Sequence, residues 1–264
     1  MNKQIFIIAS GASIRQGLWD TPIEYLPIWQ ALKEKTVISV NWSYKWIVPT
    51  VALFCDYKFY VNEKEGLDKL PLVVGKEDAF YADVGRYLEH FDFLPKNLYF
   101  LKHSTGKNIN NKGMRTVYYG KEAWSKGFYS SQLSGMYALN LAIALDYKEI
   151  YLLGYDATEI EGYTHFYEPE GIGILKWNGR ETSGVGKNER KEYKTGTYNN
   201  DINWWFEPFK PELNYIKIYN VSPKSKLDIF PKITYEYFYK KINSETENQE
   251  EIRNFIISKI KEQK

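Results

Sequence analysis

Five short apolar runs, each stopped by a small or polar residue, constrain this chain most. Ile5–Ala9 ends in Ser10-Gly11-Ala12-Ser13, Thr36–Val40 in Asn41, Thr50–Phe54 in Cys55-Asp56, and Glu149–Leu153 in Gly154-Tyr155-Asp156. A fifth, Tyr215–Tyr219, ends in Asn220-Val221-Ser222-Pro223. Continuous β-branched and aromatic runs without polar alternation are the pattern of strands buried on both faces. Between the third and fourth runs, Ser134–Asp146 is rich in Ala and Leu, with Met136, Leu139, Leu141, Ile143 and Leu145 spread around it, which predicts a helix buried against a sheet. Helix followed by strand completes a βαβ-type unit, so the expected fold class is α/β, a mostly parallel sheet with flanking helices. In such sheets ligands bind at the carboxyl ends of the strands, where the small and polar residues gather here.

Residues 1–240 read as one domain, with a flexible lid at about 158–200. Six glycines fall among the polar residues of Gly171–Tyr198, which shows little periodicity, and structureless stretches of that length are usually functional or disordered. Residues 241–264 carry an amphipathic helix, expected over Glu247–Lys261 with Thr246 as N-cap and Ile252, Phe255, Ile256 and Ile260 on its apolar stripe.

Composition narrows the function classes. A length of 264 residues supports a substantial core without staples, and 35 Lys and Arg against 33 Asp and Glu leave a formal charge of +2, which gives no strong nucleic-acid signal. The single cysteine, Cys55, excludes an intrachain disulfide framework and any CxxC site, and fits a reducing, cytoplasmic setting. Apolar runs such as Ile5–Ala9 and Ile47–Phe54 fall far short of the roughly 20 residues that span a bilayer, so no transmembrane segment is expected. Aromatic residues make up 17% of the chain, and they serve either core packing or stacking on sugars and bases.

Several residues are candidates for chemistry. The Ser10-Gly11-Ala12-Ser13 turn allows close approach of backbone N–H groups to a phosphate, helped by the start of the following helix, although any α/β protein can have such a turn. It is not a GxGxxG fingerprint, and Gly184-Val185-Gly186-Lys187-Asn188 lacks the parts of a P-loop. Ser134-Gly135 opens the buried helix, either as an anion or ribose contact or as plain N-capping by Ser134. Asp156, after a strand, suits a ribose or a catalytic proton, with capping of the next turn as the alternative. His165, in a Tyr-rich segment, is a candidate general base or a half-buried histidine satisfied by backbone. No Asp-x-Asp pair and no clustered His/Cys set occurs, so neither a metal site nor a prosthetic group is expected.

In order, these residues resemble the bacterial lipooligosaccharide sialyltransferase family and its wider relatives, which include phage-encoded proteins and the archaeal-type 6-hydroxymethylpterin pyrophosphokinases. Ser134-Gly135-Met136-Tyr137 and Ala142 through Asp156 are similar to the family's Ser-Gly-x-Tyr helix, Ala-Leu-Gly-Tyr-Lys-Glu-Ile-Tyr strand and Gly-x-Asp ending. Ala9–Ser13 is similar to its Gly-Asn-Gly-Pro-Ser loop, Val40-Asn41 to its second strand end, and Asp56 to a polar position after the third. The resemblance implies a single Rossmann-like sheet with a flexible lid, and a metal-independent glycosyltransferase with a nucleotide-sugar donor, CMP- or UDP-linked, and a glycan or other hydroxyl acceptor. It would put Ser10, Gly11 and Ser13 on the donor phosphate and ribose, Asn41 on the phosphate or glycosyl group, Ser134, Gly135 and Asp156 on the nucleoside, and Tyr163 by the leaving phosphate. Asp56 joins the nucleotide-binding set as that polar position. The sequence departs from the family at Ser10 and Ala12, and Gly196–Asp201 lacks the family's catalytic histidine. Either His165 supplies the base, or the chemistry differs. The alternatives are diphosphate transfer from ATP, with Mg²⁺ held by Asp56 and Asp156, and a non-catalytic nucleotide- or glycan-binding module.

Overall fold

The computed structural model describes residues 3–18, 25–76, 95–104, 118–129, 133–163, 165–167, 174–177, 180–183 and 197–263, with backbone alone at 57, 174–177, 180–183 and 197–201. Seven parallel strands form the central sheet: β1 (Gln4–Ile8), β2 (Thr36–Val40), β3 (Val51–Phe54), β4 (Val73–Lys76), β5 (Leu98–Leu101), β6 (Glu149–Leu153) and β9 (Lys217–Asn220). Their order is β5-β4-β3-β2-β1-β6-β9, so the chain builds outward from β1 on one side and returns to β6 on the other. The expected α/β class is therefore the observed one. The order reverses between β1 and β6, and the carboxyl ends of those two strands flank the topological switch point.

Period-two alternation splits the buried side chains between two layers. Ile5, Ile7, Ile38, Val40, Leu53, Ile150 and Leu152 meet the helices Ser134–Ala144 and Gln249–Glu262 on one face. Phe6, Ile8, Val37, Ala52, Phe54, Tyr151 and Leu153 meet the helices Tyr57–Leu67 and Tyr235–Lys241 on the other. Much of the aromatic content lies in this second layer. Phe6 and Tyr151, register partners in β1 and β6, stack at 5.4 Å; Tyr151 stacks on Tyr219 of β9 at 5.4 Å, and Phe238 caps Tyr151 edge-on at 5.4 Å. Such pairs add to area burial because ring edges and faces carry opposite partial charge.

The buried helix is Ser134–Ala144, with every residue from Met136 to Ala144 buried. Its N-cap position is Leu133 with no side-chain cap, so plain capping by Ser134 is not what starts the helix. The terminal helix runs Gln249–Glu262 with Asn248, not Thr246, as N-cap: the Asn248 carboxamide oxygen accepts from the Glu250 and Glu251 amides at 3.1 and 3.3 Å. Ile256 and Ile260 are buried as expected, whereas Phe255 turns outward. The fifth apolar run forms β9, which begins at Lys217 rather than Tyr215, because Glu207–Asn214 is a 3-10 segment that leads the chain up to the sheet edge.

Within the expected lid, described residues form a hairpin of β7 (Ile174–Trp177) and β8 (Arg180–Ser183), and Thr197–Phe206 is helical; the Gly184–Asn188 segment lies outside the described residues. No helix among the described residues is long and apolar enough to cross a membrane.

Candidate functional site

β1 and β6 stay paired beyond their strand ends. Ala9 N–H donates to Leu153 O at 2.8 Å and Gly11 N–H to Gly154 O at 2.9 Å, which draws the Ser10–Ser13 turn onto the end of β6. Only glycine allows that approach: a Cβ on Gly11 would stand 2.4 Å from Gly154 O and 2.5 Å from Asp156 Oδ2. The short helix that follows, Ile14–Leu18, has only five residues, too few for the helix-start contribution expected of this turn.

Asp156 holds the turn from the other side. Its Oδ2 accepts the Ser13 amide at 2.7 Å and its Oδ1 the Ser13 hydroxyl at 2.5 Å, in a pocket where Asp156 is 2% exposed. The Gly11 and Ser13 amides are thus engaged within the protein. Asp156 clamps the first loop onto the end of β6. Burial pushes its carboxyl up from the ordinary value, against the opposing pull of Ser13, Ser222 and the nearby His165. The buried hydroxyls of Ser222 and Tyr235 lie beside this cluster without completing a hydrogen bond of acceptable geometry.

A carboxyl raised by burial binds its proton more tightly folded than unfolded, so its contribution to stability falls as pH rises from the ordinary carboxylate range through the native pKa. Asp156→Asn cannot ionise. Thermal melts from pH 4 to 7 are expected to show the wild-type advantage over this variant shrinking as pH rises; a constant or widening gap would mean that the Ser13 donors outweigh burial.

A second segment crosses the loop. Ile160 and Tyr163 close a two-residue turn through N–H···O bonds of 2.9 and 3.0 Å, with Glu161 at φ 54° and Gly162 at φ 85°, the left-handed pair that tight hairpins use. The chain then bridges His165 to Gly11 and donates Phe166 N–H to Ser10 O at 3.1 Å. His165 lies half-buried against Tyr167, ring centroids 5.2 Å apart, while the Tyr163 ring is exposed beneath the Arg15 guanidinium at 5.7 Å. Arg15 Nη1 also donates to Phe166 O at 3.3 Å.

Asn41, at the end of β2, has φ 53°, uncommon for a residue with a side chain, and its Oδ1 is buried with no hydrogen-bond partner. The 3-10 turn it opens, Asn41–Lys45, is fixed at both ends. Ser43 Oγ donates to Ile8 O at 2.7 Å, and Glu63 accepts from Trp42 Nε1 at 2.9 Å and from the Tyr44 hydroxyl at 2.6 Å while pairing with Lys45 at 2.8 Å.

The structure brings Ser10, Gly11, Ser13, Asp156, Tyr163 and His165 together at the switch point, with Asn41 on the adjoining strand end. Ser134 and Gly135 lie under the end of β6, where the Tyr155 hydroxyl donates to Gly135 O at 2.8 Å and a Cβ on Gly135 would meet the Tyr155 ring at 2.8 Å. Asp56 stands apart: it is exposed beyond β3 and caps the helix Tyr57–Leu67, accepting the Lys58 amide at 2.8 Å. Arg15, Glu63, Ser222 and Tyr235 were not among the sequence candidates. Only Ser222, in the polar stretch after β9, carried a signal. Among the described residues no group of three His, Cys, Asp or Glu side chains comes together as a metal site.

No family model matches this sequence, and no curated protein matches it. Solved structures of the sialyltransferase CstII from Campylobacter jejuni are similar over most of the chain. The complex with the substrate analogue CMP-3FNeuAc is 17% identical with a TM-score of 0.41, covering 89% of this chain and 86% of that one. The complex with cytidine-5'-monophosphate gives 17%, 0.38, 87% and 84%, and an asparagine-to-alanine variant of the same enzyme with CMP gives 17%, 0.40, 87% and 86%.

Proposed function

We propose that this chain is a glycosyltransferase that takes a nucleotide-activated sugar, CMP- or UDP-linked, and passes the glycosyl group to a hydroxyl acceptor without a metal ion. The observation that carries the reading is the convergence at the β1/β6 switch point: a loop that only glycine can bring so close, a buried carboxylate that clamps it, and a histidine whose backbone is bridged to the same loop. In this scheme the His165 imidazole takes the acceptor hydroxyl proton as the acceptor oxygen bonds to the anomeric carbon. The bond from that carbon to the phosphate oxygen breaks, and the nucleotide leaves with the electron pair. Tyr163 and Ser10 face the developing charge, Asn41 the glycosyl group, and Ser134 and Gly135 the nucleoside.

A ligand that binds only the folded protein raises its melting temperature by mass action. CMP or UDP is therefore expected to stabilise the purified protein in EDTA, and GDP, ADP and ATP to do so less. Stabilisation only by ATP with Mg²⁺ would favour diphosphate transfer, although Asp156 turns both oxygens to Ser13 and Asp56 caps a helix. No shift with any nucleotide would leave a glycan-binding module as the better account.

A further inference from the structure

We propose that Arg15 is the cation that grips the phosphate of the nucleotide ligand, held ready for it by Tyr163 and the Phe166 carbonyl; this rests on the nucleotide reading of the same crevice. Among the described residues around the first loop, Ser10, Ser13, Asn41, Tyr163 and Ser222 are neutral, and His165 is the proposed proton acceptor. The one carboxylate among them, Asp156, is buried, and when ionised it would repel a phosphate. Glu161, on the turn before Tyr163, pairs with Lys224 at 3.8 Å. A permanent positive charge adds to what neutral donors give a phosphate, and a guanidinium, charged at every relevant pH with N–H donors in a planar fork, matches phosphate oxygens two at a time.

Placement supports the same role. Arg15 follows Ser13 by two residues, and its amide donates to Ala12 O at 3.1 Å, so its backbone lies in the first turn of the short helix that leaves the loop Asp156 clamps. Its side chain reaches the crossing segment, with Nη1 on Phe166 O and the cation over the Tyr163 ring. The attraction of the cation to the ring and the bond to the Phe166 carbonyl hold the arm at the crossing segment from two sides. Tyr163 is thereby a positioning residue for Arg15 as well as the hydroxyl proposed beside the phosphate.

A purely structural tether would make the same contacts, so the test separates charge recognition from folding. Binding is measured by titration for three pairs, cytidine and CMP, uridine and UMP, adenosine and AMP, with wild type, Arg15→Ala, Arg15→Lys and Tyr163→Phe. Wild type is expected to prefer the monophosphate of its cognate pair by about tenfold to a hundredfold, the worth of one charge-assisted contact. Arg15→Ala should bring that preference to within about threefold and leave nucleoside affinity unchanged, Arg15→Lys should fall between, and Tyr163→Phe, which keeps the ring and loses the hydroxyl, should lower it less than Arg15→Ala does. Arg15→Ala that keeps the preference, or loses nucleoside and monophosphate equally, overturns the role of Arg15 alone. Wild type that binds no member of any pair overturns the nucleotide reading and this inference together.

Discussion

Gly11→Ala is expected to destabilise the protein by about 3 kcal/mol and to abolish the nucleotide-induced rise in melting temperature. The added methyl would sit 2.4 Å from Gly154 O and 2.5 Å from Asp156 Oδ2, and the first of these is main chain at the end of a central strand, which cannot swing aside. Relief requires the first loop to lift. That stretches the Gly11–Gly154 bond and withdraws Ser13 from Asp156, leaving a buried carboxylate without its two donors. Gly162→Ala is the control. No atom lies within 4 Å of a Cβ there, so the cost is that of the left-handed backbone at φ 85°, about 1 kcal/mol, with ligand response retained. Chemical denaturation with and without nucleotide reads both quantities. A Gly11→Ala protein that keeps wild-type stability and response would show that the turn is not the rigid floor of the site.

His165→Ala is expected to lower kcat for transfer, or for hydrolysis of the cognate nucleotide sugar, by about 10²- to 10⁴-fold with KM for the donor nearly unchanged. The segment should stay in place, because its ties to the first loop are main-chain ones: the His165–Gly11 bridge and the Phe166 N–H bond to Ser10 O. The missing imidazole therefore removes a proton acceptor and spares the local architecture. Retained wild-type turnover would move the base elsewhere. An unaltered ligand-binding isotherm with no turnover in either protein would identify a binding module.

Long β-branched runs made β1, β2, β3 and β6 legible in the sequence, since each is a continuous apolar stretch buried on both faces. β4 and β5, no shorter than β3, escaped because Val73–Lys76 gives way to Gly75 and Lys76 after two β-branched residues, and Leu98–Leu101 has no β-branched residue and is half-exposed in the middle. In the site, Gly11, Ser13 and Asp156 were visible as small and acidic residues after strands. Their engagement with one another was not, because the partners are 143 positions apart. Glu63 and Tyr235 belong to ordinary helices with no motif, and only the fold sets one under the Asn41 turn and the other behind Asp156. The terminal helix shows the limit of cap reading: Thr246 and Asn248 both suit an N-cap, and tertiary ties decide between them. Glu247 accepts from Thr36 and Tyr147, holding the chain extended up to Asn248.

The Ser13–Asp156 clamp also sets when the site can exist during synthesis. A ribosome delivers β1 and its turn first, yet the carboxylate that fixes the turn, and the β6 strand that pairs with β1, arrive more than half a chain later. Until then the Ser10–Ser13 segment has neither Gly154 nor Asp156 to bond, and a fragment that ends before them presents strands β1 to β5 with an open edge at β1. Closing so long a loop is slow, as non-local parallel pairing generally is. The proposed site therefore forms late, and a nascent chain stalled ahead of β6 exposes at β1 a strand edge that the finished protein pairs with β6.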